Sequence, residues 1–72
     1  MQTQTIDSSE QLGRLIRKRR LELGMTQTAV ADVARTTLRL VSELEGGKRT
    51  AQLDGVMRIL TALGIVLEAR WR

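Results

Sequence analysis

Seventy-two residues make one domain at most. A chain this short buries only about 60% of the surface its unfolded form exposes. With no cysteine and no histidine, disulfides and thiolate or imidazole metal sites are excluded, and no cofactor or metal is expected. The formal net charge is +4 and the isoelectric point about 11.1, which suits a polyanionic partner or simply confers solubility. Arg14, Arg17, Lys18, Arg19 and Arg20 concentrate that charge. The single aromatic residue, Trp71, argues against a single-strand nucleic-acid module, which stacks bases on aromatic platforms. No apolar run approaches a membrane span, and the polar "MQTQTIDSSE" start does not read as a signal peptide. The composition fits a cytoplasmic protein.

Residues 1–8 read as a flexible N-terminus and residues 9–64 as a helical domain. Ser8 and Gln11 have the spacing of a capping box. Leu12, Leu15, Ile16 and Leu23 then mark an amphipathic helix over about 9–23, closed by Gly24. Thr26 is an N-cap candidate for a short helix over about 27–34, with Val30, Ala31 and Ala34 inward. Thr37 caps a third over about 38–45, with Val41 and Leu44 inward and Leu38 or Leu40 flanking. Gly46-Gly47 stops it. A fourth helix runs over about 53–63, its apolar residues being Val56, Met57, Ile59, Leu60 and Leu63, and Gly64 caps it.

The tail changes period. In "IVLEARW", Ile65, Leu67, Ala69 and Trp71 share one face, while Glu68 and Arg70 share the other with Val66. Residues 65–72 therefore read as a dimerisation strand. A lone strand has unpaired backbone groups on both edges, and a second copy across a two-fold axis is the simplest partner. A frayed or helical end is the alternative. The fold class expected is all-α, four helices plus a C-terminal β-strand pairing across a homodimer.

Helices over 27–34 and 38–45, three residues apart, have helix-turn-helix spacing, in which the second helix lies in the major groove. Thr26, Gln27 and Thr37 stand at helix starts, where hydroxyl, amide and backbone N–H groups suit phosphate. On the second helix, Leu38, Arg39, Ser42 and Glu43 can face outward. Arg39 matches guanine bidentately, Ser42 can donate or accept, Glu43 can accept from cytosine, and Leu38 can touch a thymine methyl. Lys48 and Arg49 follow in a glycine-rich turn suited to phosphate. Each has a plainer reading: Arg39 and Glu43 as a solvent-facing i,i+4 ion pair, Lys48-Arg49 as an ordinary turn. Their order together favours double-stranded DNA.

The stretch "RRLELGMTQTAVADVARTTLRLVSELEGGKR" resembles the helix-turn-helix of the Xre/Cro group of phage-type repressors. The matching residues are Arg20, Gly24, Met25, Thr26-Gln27, Thr37 and Leu44-Glu45-Gly46-Gly47-Lys48, in register without insertion, and the likeness continues through "LDGVMRILTALGI". It covers roughly residues 12–65. The resemblance implies a lambda-repressor-like fold, phosphate binding by Gln27, base reading by Leu38, Arg39, Ser42 and Glu43, and a partly buried ion pair between Arg20 and Glu45. Two positions depart from the pattern: Arg35 stands where the group usually has glycine, and Arg19 where it often has leucine.

A fourth helix ending in leucine-glycine, then a β-forming tail, is similar to the HipB-like antitoxins. That resemblance implies a homodimeric repressor on a palindromic operator. It also implies autoregulation and a HipA-like kinase toxin as partner. A stand-alone regulator without a toxin and a protein-interaction adaptor without DNA binding are the alternatives. An enzyme is not expected, since Asp7, Asp32 and Asp54 are scattered without a partner for acid–base work.

Overall fold

The computed structural model describes all of residues 1–72. Four helices follow in order: α1 (Ser9–Glu22), α2 (Gln27–Ala34), α3 (Leu38–Glu45) and α4 (Leu53–Ala62). α1 and α4 each end one residue earlier than the apolar pattern suggests. No helix is long and apolar enough to cross a membrane.

The starts of the first three helices are set by hydroxyl caps. Ser8 Oγ accepts from the Gln11 N–H at 3.1 Å. Gln11 reciprocates through its Oε1, although it accepts from the Asp7 N–H rather than from Ser8 itself. Thr26 accepts from Ala29 and Thr37 from Leu40, both at 3.0 Å. Each bond satisfies one of the amide groups that a helix start leaves without an internal partner.

All four ends use one device. An amide reaches back five residues to a helix carbonyl: Met25 to Arg20, Thr36 to Ala31, Lys48 to Glu43 and Ile65 to Leu60. This is the Schellman motif, which needs a left-handed residue just before that amide. Gly24, Gly47 and Gly64 fill the place in α1, α3 and α4; in α2 it is Arg35, at φ 57° and ψ 49°. The departure at Arg35 is therefore no new kind of turn. An arginine takes the glycine conformation, at a cost of about 1 kcal/mol.

The core is Ile16 from α1, Val30, Ala31 and Ala34 from α2, Val41 and Leu44 from α3, and Val56, Ile59, Leu60 and Leu63 from α4 and its end. Leu12, Met25, Leu40, Ala62 and Ile65 pack around it. Leu23, Leu38 and Met57 are at the surface instead. α1 packs on α3, and α2 on α3 and α4. Two crossings are close because glycine sits in them. A Cβ on Gly13 would lie 2.3 Å from the Leu44 carbonyl oxygen, and one on Gly55 would lie 2.5 Å from Leu40 Cδ2. Two arginines tie helix ends together: Arg19 Nε donates to the Leu63 carbonyl at 2.9 Å, and Arg58 Nε to the Ala34 carbonyl at 3.1 Å. The leucine-to-arginine departure at position 19 thus trades an apolar contact for a cap on the end of α4.

The expected strand over 65–72 is not formed; these residues adopt neither helix nor strand. The reason is pairing. A strand exists only against a neighbour, and beyond Ile65 no backbone–backbone hydrogen bond holds the tail to this chain.

Candidate nucleic-acid interface

α2 and α3 are joined by Arg35, Thr36 and Thr37. The left-handed Arg35 reverses the chain, Thr37 starts α3, and Val30, Ala34, Val41 and Leu44 pin the pair from below. The opposite side of α3 is open. Leu38, Arg39 and Ser42 are exposed, with 85% of the Arg39 side chain accessible. Glu43 lies lower, 27% accessible. Thr37 is exposed at the N-terminus of α3, and Thr26 at that of α2. Because each threonine oxygen serves its helix as acceptor, the hydroxyl hydrogen is left to donate outward.

Behind this face stands a charged hub. Arg20 Nε and Nη2 donate to Glu45 Oε2 and Oε1 at 2.6 and 3.0 Å, a two-pronged pair with both side chains at most 10% exposed. Arg20 Nη1 donates to the Met25 carbonyl at 2.9 Å. Gln27 Nε2 donates to Glu45 Oε1 at 3.1 Å. Arg17 stands 4.0 Å from the same oxygen, its side chain 61% accessible. Burial pushes the Glu45 carboxyl up. The hydrogen bonds from Arg20 and Gln27 and the charges of Arg20 and Arg17 outweigh it, so the group stays below its ordinary value.

The hub alters the reading of Gln27. Its side chain is turned to Glu45, so one amide hydrogen is committed, and only the other, with the backbone N–H groups at the start of α2, can face a phosphate. The hub also brings up Arg17, which sequence reasoning placed only in a general basic cluster. Its proximity to Glu45 sets its accessible guanidinium beside the start of α2. Helical spacing in α1 could have flagged it, since Arg17, unlike Arg20, lies off the Leu12–Ile16 stripe.

On α3, Arg39 Nε is 3.3 Å from Glu43 Oε1, while Lys48 Nζ pairs with Glu43 Oε2. The Lys48 hydrogen bond lowers the Glu43 carboxyl most and burial opposes it; with the charges of Lys48 and Arg39 and a weaker contact from Arg39 added, the group stays below its ordinary value. The plainer i,i+4 reading of Arg39 and Glu43 is thus what the free chain adopts. Arg49 is exposed and lies in the turn after α3.

Comparison with known proteins bears on this arrangement. Residues 11–71 match the model of a helix-turn-helix domain. The chain is also 36% identical over 63 residues to the uncharacterized HTH-type transcriptional regulator y4mF of Sinorhizobium fredii, spanning 88% of this chain and 83% of that protein. The chain belongs to the helix-turn-helix family of transcriptional regulators. Among solved structures, the fold is shared with a protein described as MDT Protein, at a TM-score of 0.86 and 24% identity over 94% of this chain and 96% of that one. It is equally shared with HipB in a complex described as a HipB variant with an O2 20mer, at 0.86 and 23% identity over 96% of each chain. The helix-turn-helix resemblance drawn from Arg20 to Arg49 therefore holds, and the likeness to HipB holds for the fold.

Proposed function

We propose that this helix-turn-helix protein is a sequence-specific double-stranded DNA-binding repressor that lays α3 in the major groove. The observation that carries the reading is the open outer face of α3. Leu38, Arg39 and Ser42 stand clear of the core there, flanked by two phosphate-facing flaps. One is the α2 start, with Thr26, Gln27 and Arg17; the other is the turn holding Lys48 and Arg49. Phosphate contacts from those flaps position the protein, and the α3 side chains read the base edges.

A dimer is the working unit in this reading. The tail leaves its backbone donors and acceptors open beyond Ile65, and Val66 and Trp71 are each 87% exposed. Glu68 and Arg70, two residues apart, meet at 3.1 Å, as same-face neighbours on extended chain do. Residues Ile65, Val66, Leu67, Glu68, Ala69, Arg70 and Trp71 would pair with a second copy, giving a two-fold protein for a palindromic operator with half-sites about one helical turn apart. The shared fold with HipB supports a finer version, an antitoxin that represses its own operon and binds a HipA-like kinase toxin.

A mobility shift on duplex DNA from upstream of the protein's own start codon tests the first part. We expect a shift that resists random competitor and weakens with salt, as counterion release requires. Equal competition by random duplex would leave only non-specific binding, and no shift at all would favour an adaptor. Sedimentation of a chain lacking residues 65–72 tests the second part: monomers are expected at low concentration, and an unchanged dimer would refute strand pairing. Co-purification with the product of a kinase-like neighbouring gene tests the toxin partnership.

A further inference from the structure

The carboxylate of Glu43 is in an unusual position for a base reader. Its two oxygens are engaged by different cations, Arg39 on one side and Lys48 on the other. It is also the least accessible of the three: 27%, against 85% for Arg39 and 42% for Lys48. A duplex approaching α3 meets the two cations before it meets the acid. To accept from a cytosine amino group, Glu43 would have to release Arg39 and reach past it.

We infer that Glu43 reads no base; it is a positioning residue that aims Arg39 at a guanine and holds Lys48 for the adjacent phosphate. This rests on the DNA-binding reading of α3. Three physical arguments carry it. An unpaired carboxylate at a DNA surface repels phosphate, whereas this cluster of one anion and two cations keeps a net positive charge. Arginine is long, and fixing it on binding costs rotamer freedom. Arg39, engaged at Nε, gives up part of that freedom in the free protein, which lowers the cost at the moment of contact. Contact at Nε also leaves the terminal amino groups of Arg39 to extend beyond the helix, and their fork matches the O6 and N7 acceptors of guanine. Lys48 enters from the turn after α3, so the same carboxylate sets the distance between a base contact and a backbone contact.

Selection from a random double-stranded library, followed by binding to the selected duplex and its single base-pair variants, tests the role. Wild type, Glu43→Gln, Arg39→Ala and the double variant are compared, with helical circular dichroism as the check on folding. Glu43→Gln should lower discrimination at one G·C pair by about two- to fivefold, the scale of an exposed ion pair. That pair should be the one whose reading Arg39→Ala abolishes, and the double variant should be no worse than Arg39→Ala alone. If Glu43→Gln changes preference at a different pair and adds to Arg39→Ala, Glu43 is a base reader and the inference is wrong. It is equally wrong if discrimination is unchanged, or if affinity rises uniformly on all duplexes. If the wild type selects no sequence, the DNA reading itself falls and takes this role with it.

Discussion

Glu45→Ala is the most informative single perturbation of the fold. It removes the acceptor of three hydrogen bonds, two from Arg20 and one from Gln27. Arg20 then remains charged and only 8% exposed, with the Met25 carbonyl as its last partner. Breaking one side of a buried pair costs about 3–5 kcal/mol. A domain of this size has a total stability of about 4–11 kcal/mol. The substitution should therefore remove a large share of it. With a urea m-value of about 1 kcal/mol/M, the midpoint should fall by about 3 M or more, followed by far-UV circular dichroism. The pH dependence supplies a second arm. The folded carboxyl lies below its ordinary value, so the pair contributes fully above the unfolded pKa, about 4.3. That contribution is lost as pH falls through the folded one. Protonated Glu45 strands Arg20 much as alanine does, so the two proteins should converge in acid and diverge toward neutral pH. A midpoint shift under about 1 M at neutral pH would refute the reasoning, as would a constant gap across pH.

Arg35→Gly should stabilise the protein by up to about 0.5 kcal/mol, the left-handed strain relieved less the added freedom of the unfolded glycine chain; a lower urea midpoint would contradict the strain. Gly13→Ala should cost about 3 kcal/mol, because the atom in the way is the Leu44 backbone oxygen; a thermal midpoint unchanged within error would show that α1 can shift. Gly55→Ala meets only a leucine methyl and should cost less in the same melt. Lys48→Ala and Arg17→Ala should each weaken DNA binding on all sequences alike and lower the salt slope by about one. A sequence-dependent effect of either would make it a base contact.

The helices were legible because each carries its own punctuation. Ser8, Thr26 and Thr37 begin three of them, and Gly24, Gly47 and Gly64 close three. The inward stripe of α2 and α3 was legible too, since Val30, Ala31, Ala34, Val41 and Leu44 fall on one helical face. Gly13 and Gly55 went unnoticed because a glycine inside a helix has no local signature: its reason lies in a helix distant in sequence. The carbonyl contacts of Arg19 and Arg58 have no local signature for the same cause, since a long cation can cap a carbonyl anywhere within reach. On the candidate interface, the outward residues of α3 follow from helical period alone. The i,i+4 pairing of Arg39 with Glu43 follows from it too, whereas the turning of Gln27 toward Glu45 depends on how α1 and α2 are set against the end of α3, which no local pattern encodes. The tail's alternation says which faces it has but not what lies against them.

The grip of α1 on the far end of α3 has a mechanical consequence. Gly13 lets α1 press on the backbone of Leu44 and Glu45, and Arg20 bolts the Glu45 side chain. α3 has eight residues, so it is a rod of about 12 Å clamped at its C-terminal end, with Leu38 and Arg39 near the other. A tilt of about 10° at the clamp would swing those residues by about 2 Å, more than a hydrogen bond tolerates. The two helices of the motif therefore do not determine their own aim. α1 holds the far end while Gly55 of α4 backs Leu40 near the other, and transplanting α2 and α3 alone would carry over the pointer without its bearing.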